Sequence, residues 1–212
     1  MKVVSFFAVI VVLFFSNISI AADDDDMVLI PGGKFLFGED KKKIELGDFY
    51  IDKYEVTNAQ YKKFRSEHTF PAGKEDFPVV EISYFDAEKY CKDAGKRIPK
   101  PEEWEKAARG ADGRIYPWGD KFDSKRINSI EAAKDAPVKV GSFERGKSPY
   151  GVYDMVGNVS EWTDAWDSKK QYRITRGGSY FDGADLNKTT STLMSIPDDI
   201  HEYIGFRCAK SK

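Results

Sequence analysis

Apolar positions in this chain come in short bursts with two different periods. At Met27 to Phe37, MVLIPGGKFLF sets two brief apolar runs around Pro31-Gly32-Gly33, which predicts two short strands about a turn. Phe49 to Tyr54 alternates in the same way and predicts another strand. The spacing then becomes helical. Thr57 followed by Gln60 forms a capping-box arrangement, and Tyr61 and Phe64 share the face behind it. A second helix starts at Ser83; Ala87, Tyr90, Cys91 and Ala94 recur at helical spacing until Gly95, which turns Cys91 toward the core. A third opens at Pro101 and ends at Gly110, with Trp104, Ala107 and Ala108 on one side.

Past Gly110 the chain is rich in Gly, Pro, Asp and aromatics, and only short strands are expected: Val138 to Val140, Ile174 to Arg176 and Gly205 to Ala209. Core aromatics and side-chain-to-backbone bonds must then do much of the work of sheet ladders. The fold class is α+β with much irregular structure. No repeats or low-complexity linkers divide it.

The start of the chain has a different character. Residues 1–22 carry one cation, Lys2, an apolar run from Val3 to Phe15, and a small-x-small end at Ser19 and Ala21, the pattern of a signal peptide cleaved after Ala21 or Ala22. The apolar run, about 13 residues, is short of the roughly 20 that span a bilayer, so no stable membrane span is expected. The chain is therefore expected to be exported, to a periplasmic or extracellular location. The acidic run Asp23 to Asp26 reads as a disordered, solvated start to the mature chain. Residues 27–210 then form one domain, large enough for a substantial core.

Composition narrows the picture further. The formal net charge of -2 is too close to neutral to suggest a nucleic-acid partner. Only two cysteines exist, Cys91 and Cys208. In an oxidising compartment two cysteines form one structural bridge more often than two free thiols, and both alternatives stand on the residues alone.

Several words of the sequence together resemble the formylglycine-generating enzyme, or sulfatase-modifying factor, family. They are MVLIPGGKFLFG, YIDKYEVTNAQYKKF, the two-helix segment FPVVEISYFDAEKYCKDAGKRIPKPEEWEKAARG, YPWGD, DMVGNVSEW, RGGSY and GFRCA. The resemblance covers Met27 to Ala209 and implies a C-type-lectin-like fold. It also implies a disulfide between the GFRCA cysteine, Cys208, and the second-helix cysteine, Cys91. Two departures stand out. Lys100 replaces the family's capping Thr, which should make the third helix start about 1 kcal/mol less favourably. Ser160 replaces a Trp that lies near the active site in the enzymes.

The resemblance also implies a calcium loop in DMVGNVSEW. The matching positions in the enzymes bind calcium through two side chains and two carbonyls, here Asp154, Gly157, Val159 and Glu161. A hard cation needs several oxygens from a compact loop, and Gly157 permits the tight turn. Without an ion, Asp154 and Glu161 would instead brace the loop through backbone amides. A second calcium site near Asn128 and Ser129 is not expected, because only eight residues separate Ser129 from Val138.

The family's oxidative chemistry should be missing. Its members that oxidise a substrate cysteine use a redox-active cysteine pair between RGGS and GFRCA, at positions that fall near Ala184 and Thr189. The interval Tyr180 to Phe206 contains no cysteine. Copper needs a thiolate of that kind. Non-haem iron relatives use a His-rich facial site, and this chain has only His68 and His201, far apart in sequence. Neither copper nor iron is expected, and no catalytic residue is assigned. Asp198, Asp199, His201 and Glu202 read as an exposed turn.

These readings converge on an exported pseudoenzyme: a non-catalytic, calcium-stabilised module that binds a peptide, glycan or protein. Its ligand-pocket candidates are Arg176, Ser179, Tyr180, Asp182 and Asp198, with Trp166, Tyr172 and Phe181 as further aromatics. The alternatives are an oxidoreductase of this superfamily with an unknown substrate, and a structural subunit of a periplasmic complex.

Overall fold

The computed structural model describes residues 26–212; the expected signal peptide and most of the acidic run lie outside them. Asp26 is exposed, and its carbonyl accepts from the Lys53 N–H at 2.8 Å.

The two strands at the start of the domain do not pair with each other. β1 (Met27–Ile30) runs antiparallel to β4 (Phe49–Asp52), which pairs in turn with β9 (Ala209–Ser211), so both ends of the domain share one sheet. β2 (Gly33–Phe37) forms a separate hairpin with β3 (Lys42–Leu46). The basic run Lys41 to Lys43 is exposed to solvent and leads into that second strand.

The three helices begin where their caps predict. α1 (Asn58–Phe64) has Thr57 as N-cap, with the Thr57 and Gln60 capping box complete. α2 (Tyr84–Asp93) is capped by the Ser83 hydroxyl, which accepts from the Asp86 N–H. α3 (Pro101–Arg109) ends at Gly110, at φ 75°. Lys100 gives this helix no side-chain cap. Glu103 compensates from inside the helix: it accepts the Lys100 N–H at 2.9 Å and is held in a fork by Arg97 at 2.6 and 2.7 Å.

The second half of the chain builds a four-stranded sheet in the order β7 (Thr192–Ser195), β6 (Arg173–Arg176), β5 (Ser160–Trp166), β8 (Ile204–Gly205), with β5 and β8 parallel. Two expectations are corrected here. Val138 to Val140 is no strand; the Asn158 side chain pins it instead, accepting the Val138 N–H at 2.9 Å. Gly205 to Ala209 is not one strand but the end of β8 and the start of β9, in different sheets. Between them Phe206 to Cys208 crosses the core, which no local pattern can report.

Two packed clusters hold these layers together. One gathers Tyr61, Tyr84, Cys91, Trp162, Phe206 and Cys208 between α1, α2 and the four-stranded sheet. The other sets Trp104, Ala107 and Ala108 of α3 against Ile30, Phe49, Ile51 and Met155. Cys91 and Cys208 form a disulfide, Cα to Cα 5.6 Å, across 117 residues of sequence. The polar side of α3 is buried as well: Glu105 accepts from Arg109 at 2.7 Å and pairs with Arg176, while Lys106 donates to the Pro31 carbonyl at 2.7 Å.

Candidate functional site

The loop Asp154 to Glu161 enters β5 wholly buried, and its shape depends on positive-φ residues. Asp154, Gly157 and Asn158 have φ of 54°, 73° and 56°. At Gly157 a β-carbon would stand 2.4 Å from the Asn128 carbonyl oxygen, so no other residue fits there without moving backbone.

Three buried carboxylates face this loop: Glu55, which follows β4, and Asp154 and Glu161 of the loop itself. One guanidinium, from Arg207, stands among them. It holds Glu161 in a bidentate fork, Nε to Oε2 and Nη2 to Oε1 both at 2.7 Å, and also donates to the carbonyls of Asp52 and Tyr153. The Trp104 indole N–H adds a third bond to Glu161, at 2.8 Å. Asp154 accepts the Gly141 N–H at 2.7 Å. Glu55 accepts from the Asn158 amide at 2.8 Å and from the Val159 N–H at 3.3 Å.

Charge does not balance in this cluster. Three carboxylates share one cation, so full ionisation would bury two uncompensated negative charges, at a cost of several kcal/mol each. The electrostatics reflect that. Burial, then repulsion from Asp154 and Glu161, pushes Glu55 well above the usual carboxylate range. Burial raises Asp154 to about 6, against the opposing pull of the Gly141 N–H and Arg207.

The oxygens here suit a hard cation. Gly157 and Val159 are buried, yet among the described residues their carbonyls accept no hydrogen bond. Buried carbonyls are rarely left so. Among the described residues the Asp154 Oδ1 accepts no hydrogen bond, and Glu161 Oε1, with one donor, keeps a lone pair. Among the described residues no three His, Cys, Asp or Glu side chains could chelate an ion by themselves. A cation would therefore depend on the two carbonyls together with the carboxylates. The sequence reading singled out Asp154, Gly157, Val159 and Glu161 but missed Glu55, Asn158 and Arg207. Glu55 and Arg207 stood within YEVTNAQY and GFRCA; nothing local marks either as facing this loop.

The ligand-pocket candidates divide between framework and surface. Arg176 is buried, paired with Glu105 and bonded to the Thr190 carbonyl. The fully buried Ser179 donates its hydroxyl to Asp182 at 2.7 Å, and Asp182 also takes the Ser179 N–H. Tyr180 is buried too, its hydroxyl pushed up to about 12 by burial and by Glu202. Asp198 is exposed, as are Phe181, Trp166 and Tyr172. Thr189, near one expected cysteine position, is buried and donates to the carbonyls of Arg114 and Ile115. Ala184, near the other, holds the Tyr116 hydroxyl at 3.1 Å. His68 and His201 lie apart, bonded to Asn58 and Ser195. A cavity of about 580 Å³ has none of these candidates in its lining; it is bounded by Asp52, Tyr54, Thr57, Tyr90 and Lys96 together with Glu55 of the carboxylate cluster.

This small-sheet, three-helix architecture with long irregular loops is that of a C-type-lectin-like domain. The profile of the sulfatase-modifying factor enzyme 1-like domain matches residues 17–212, and the chain belongs to that family. It is 30% identical to the inactive C-alpha-formylglycine-generating enzyme 2 of Bos taurus, over 87% of each chain. Among solved structures it resembles Treponema denticola variable protein 1 (TM-score 0.79, 17% identity, 88% of this chain and 95% of that one). It also resembles PvdO from Pseudomonas aeruginosa (TM-score 0.73, 23% identity, 88% and 94%). Among the described residues no helix is long and apolar enough to cross a membrane.

Proposed function

We propose that this chain is an exported, non-catalytic member of the family, a binding module whose irregular half is braced by calcium. The observation that carries the reading is the Glu55, Asp154 and Glu161 cluster with its single guanidinium and two unbonded carbonyls. Calcium would be held by the Asp154 carboxylate, the Gly157 and Val159 carbonyls and Glu161, with Glu55 alongside. The ion supplies the missing positive charge and ties β5 to the loop before it. The absence of cysteine from Tyr180 to Phe206 supports the non-catalytic half of the reading, as does the inactive relative in Bos taurus.

The binding role rests on the surface around Phe181 and Asp198. Arg176, Ser179 and Tyr180 are buried and serve the framework rather than that surface. The experiment is a paired one. Incubation with a sulfatase-type cysteine peptide should yield no aldehyde by mass spectrometry, and conversion would overturn the non-catalytic reading. Elemental analysis after purification should find calcium and no transition metal. A melting temperature that a chelator leaves unchanged would overturn the calcium reading.

A further inference from the structure

The surface beside the family words carries a pattern that they do not explain. Phe181 is 48% exposed, Ile200 58% and Ile196 46%, large apolar side chains that a folded domain does not need on its outside. A run of contacts connects the segments that carry them. The Phe181 ring meets Tyr203 at 5.8 Å, Tyr203 meets His201 at 5.0 Å, and His201 bonds Ser195, the residue before Ile196, at 3.1 Å. The Pro197 carbonyl accepts from Tyr84, which brings exposed Phe85 to the far end of the strip.

Its border has one sign of charge. Exposed Asp198 and Asp199 immediately precede Ile200 and exposed Glu202 follows two residues on, while exposed Glu81 donates its backbone N–H to the His201 carbonyl. The cations on either side of this run in sequence are spoken for: Lys188 pairs with Asp185, and Arg207 is buried against Glu161. An apolar strip inside an acidic rim complements an apolar segment flanked by positive charge.

We infer that this face docks a protein segment carrying aliphatic or aromatic anchors flanked by Lys or Arg. The inference rests on the binding-module reading and names the partner's chemistry. The apolar anchors cover Phe181, Ile200 and Ile196, and supply most of the affinity. The basic flanks meet Asp198, Asp199 and Glu202 at the rim, where they steer encounter and exclude acidic partners. Association weakens as salt rises, because the rim charges are open to screening.

The test pans a random dodecapeptide phage library on the full chain and measures the enriched peptides by fluorescence anisotropy. The expected result is enrichment of sequences that combine large apolar residues with two or more Lys or Arg. Binding of those peptides should fall about tenfold or more in the Phe181→Ser/Ile200→Ser double variant. It should fall in Asp198→Asn/Asp199→Asn, with a flatter salt dependence. Both variants alter exposed side chains, and unchanged melting temperatures confirm that they fold. Enriched peptides that need Phe181 and Ile200 but carry no excess of Lys or Arg overturn the charge assignment and leave the binding module standing. No enrichment that depends on Phe181 and Ile200 overturns both.

Discussion

If calcium occupies the loop as proposed, withdrawing it should expose the cost of the buried carboxylates in the pH dependence of stability. Asp154 has a folded pKa of about 6, raised from 3.8 by burial. The folded protein then keeps a proton over a range where the unfolded chain has released it. Stability from this group is fullest below the unfolded value, falls as pH rises, and levels off above the folded value. The loss amounts to about 3 kcal/mol. Glu55, raised further, slopes the same way toward higher pH. For a domain of this size 3 kcal/mol is about 6–12 °C in melting temperature. Calcium that binds only the folded state restores about 2.7 kcal/mol at a hundredfold excess over its dissociation constant, a matching amount. The assay is differential scanning fluorimetry of the wild type and Asp154→Asn across the acid-to-neutral range, in chelator and in excess calcium. In chelator the wild type should lose melting temperature relative to Asp154→Asn as pH rises; in calcium that difference should vanish or reverse. Parallel profiles for the two proteins in chelator would refute the reasoning.

Three further outcomes follow from the same geometry. Glu161→Ala should destabilise by about 3–5 kcal/mol in urea unfolding, because it leaves the buried Arg207 guanidinium without its fork. The loss should persist in chelator; a loss confined to calcium buffer would show that Arg207 does not depend on Glu161. Replacing both Cys91 and Cys208 by Ser should cost up to about 5 kcal/mol, since the bridge closes a loop across 117 residues, and a melting temperature unchanged by reductant would contradict that. Gly157→Ala should reduce both stability and calcium response, because its β-carbon meets the Asn128 carbonyl at 2.4 Å; a variant that melts like the wild type would show that the loop yields.

The helices were legible because their determinants are local. Thr57 with Gln60, Ser83, Pro101 and Gly110 each act within a turn of the element they delimit, and all four stand where the pattern places them. The strands past Gly110 were only partly legible. β6 shows its apolar and β-branched core in Ile174 and Thr175, whereas β7, TLMS, is too short and mixed to announce itself. The family words likewise marked which residues would line the loop at Asp154 to Glu161, through a resemblance that the domain match bears out.

What no stretch of sequence contains is which charges meet. Glu161 and Arg207 are 46 residues apart, Glu55 and Asn158 103 apart, yet both pairs bond inside the same buried space. The sequence by itself determined the domain family, the helix boundaries and the missing cysteine pair. Tertiary structure decided that Arg176 and Ser179 serve as framework while Phe181 and Ile200 face solvent. It decided also that three carboxylates share one guanidinium. The reason is that an isolated segment solvates its own charges and side chains. Only the packed chain removes that water and makes the remaining imbalance of charge and apolar surface count.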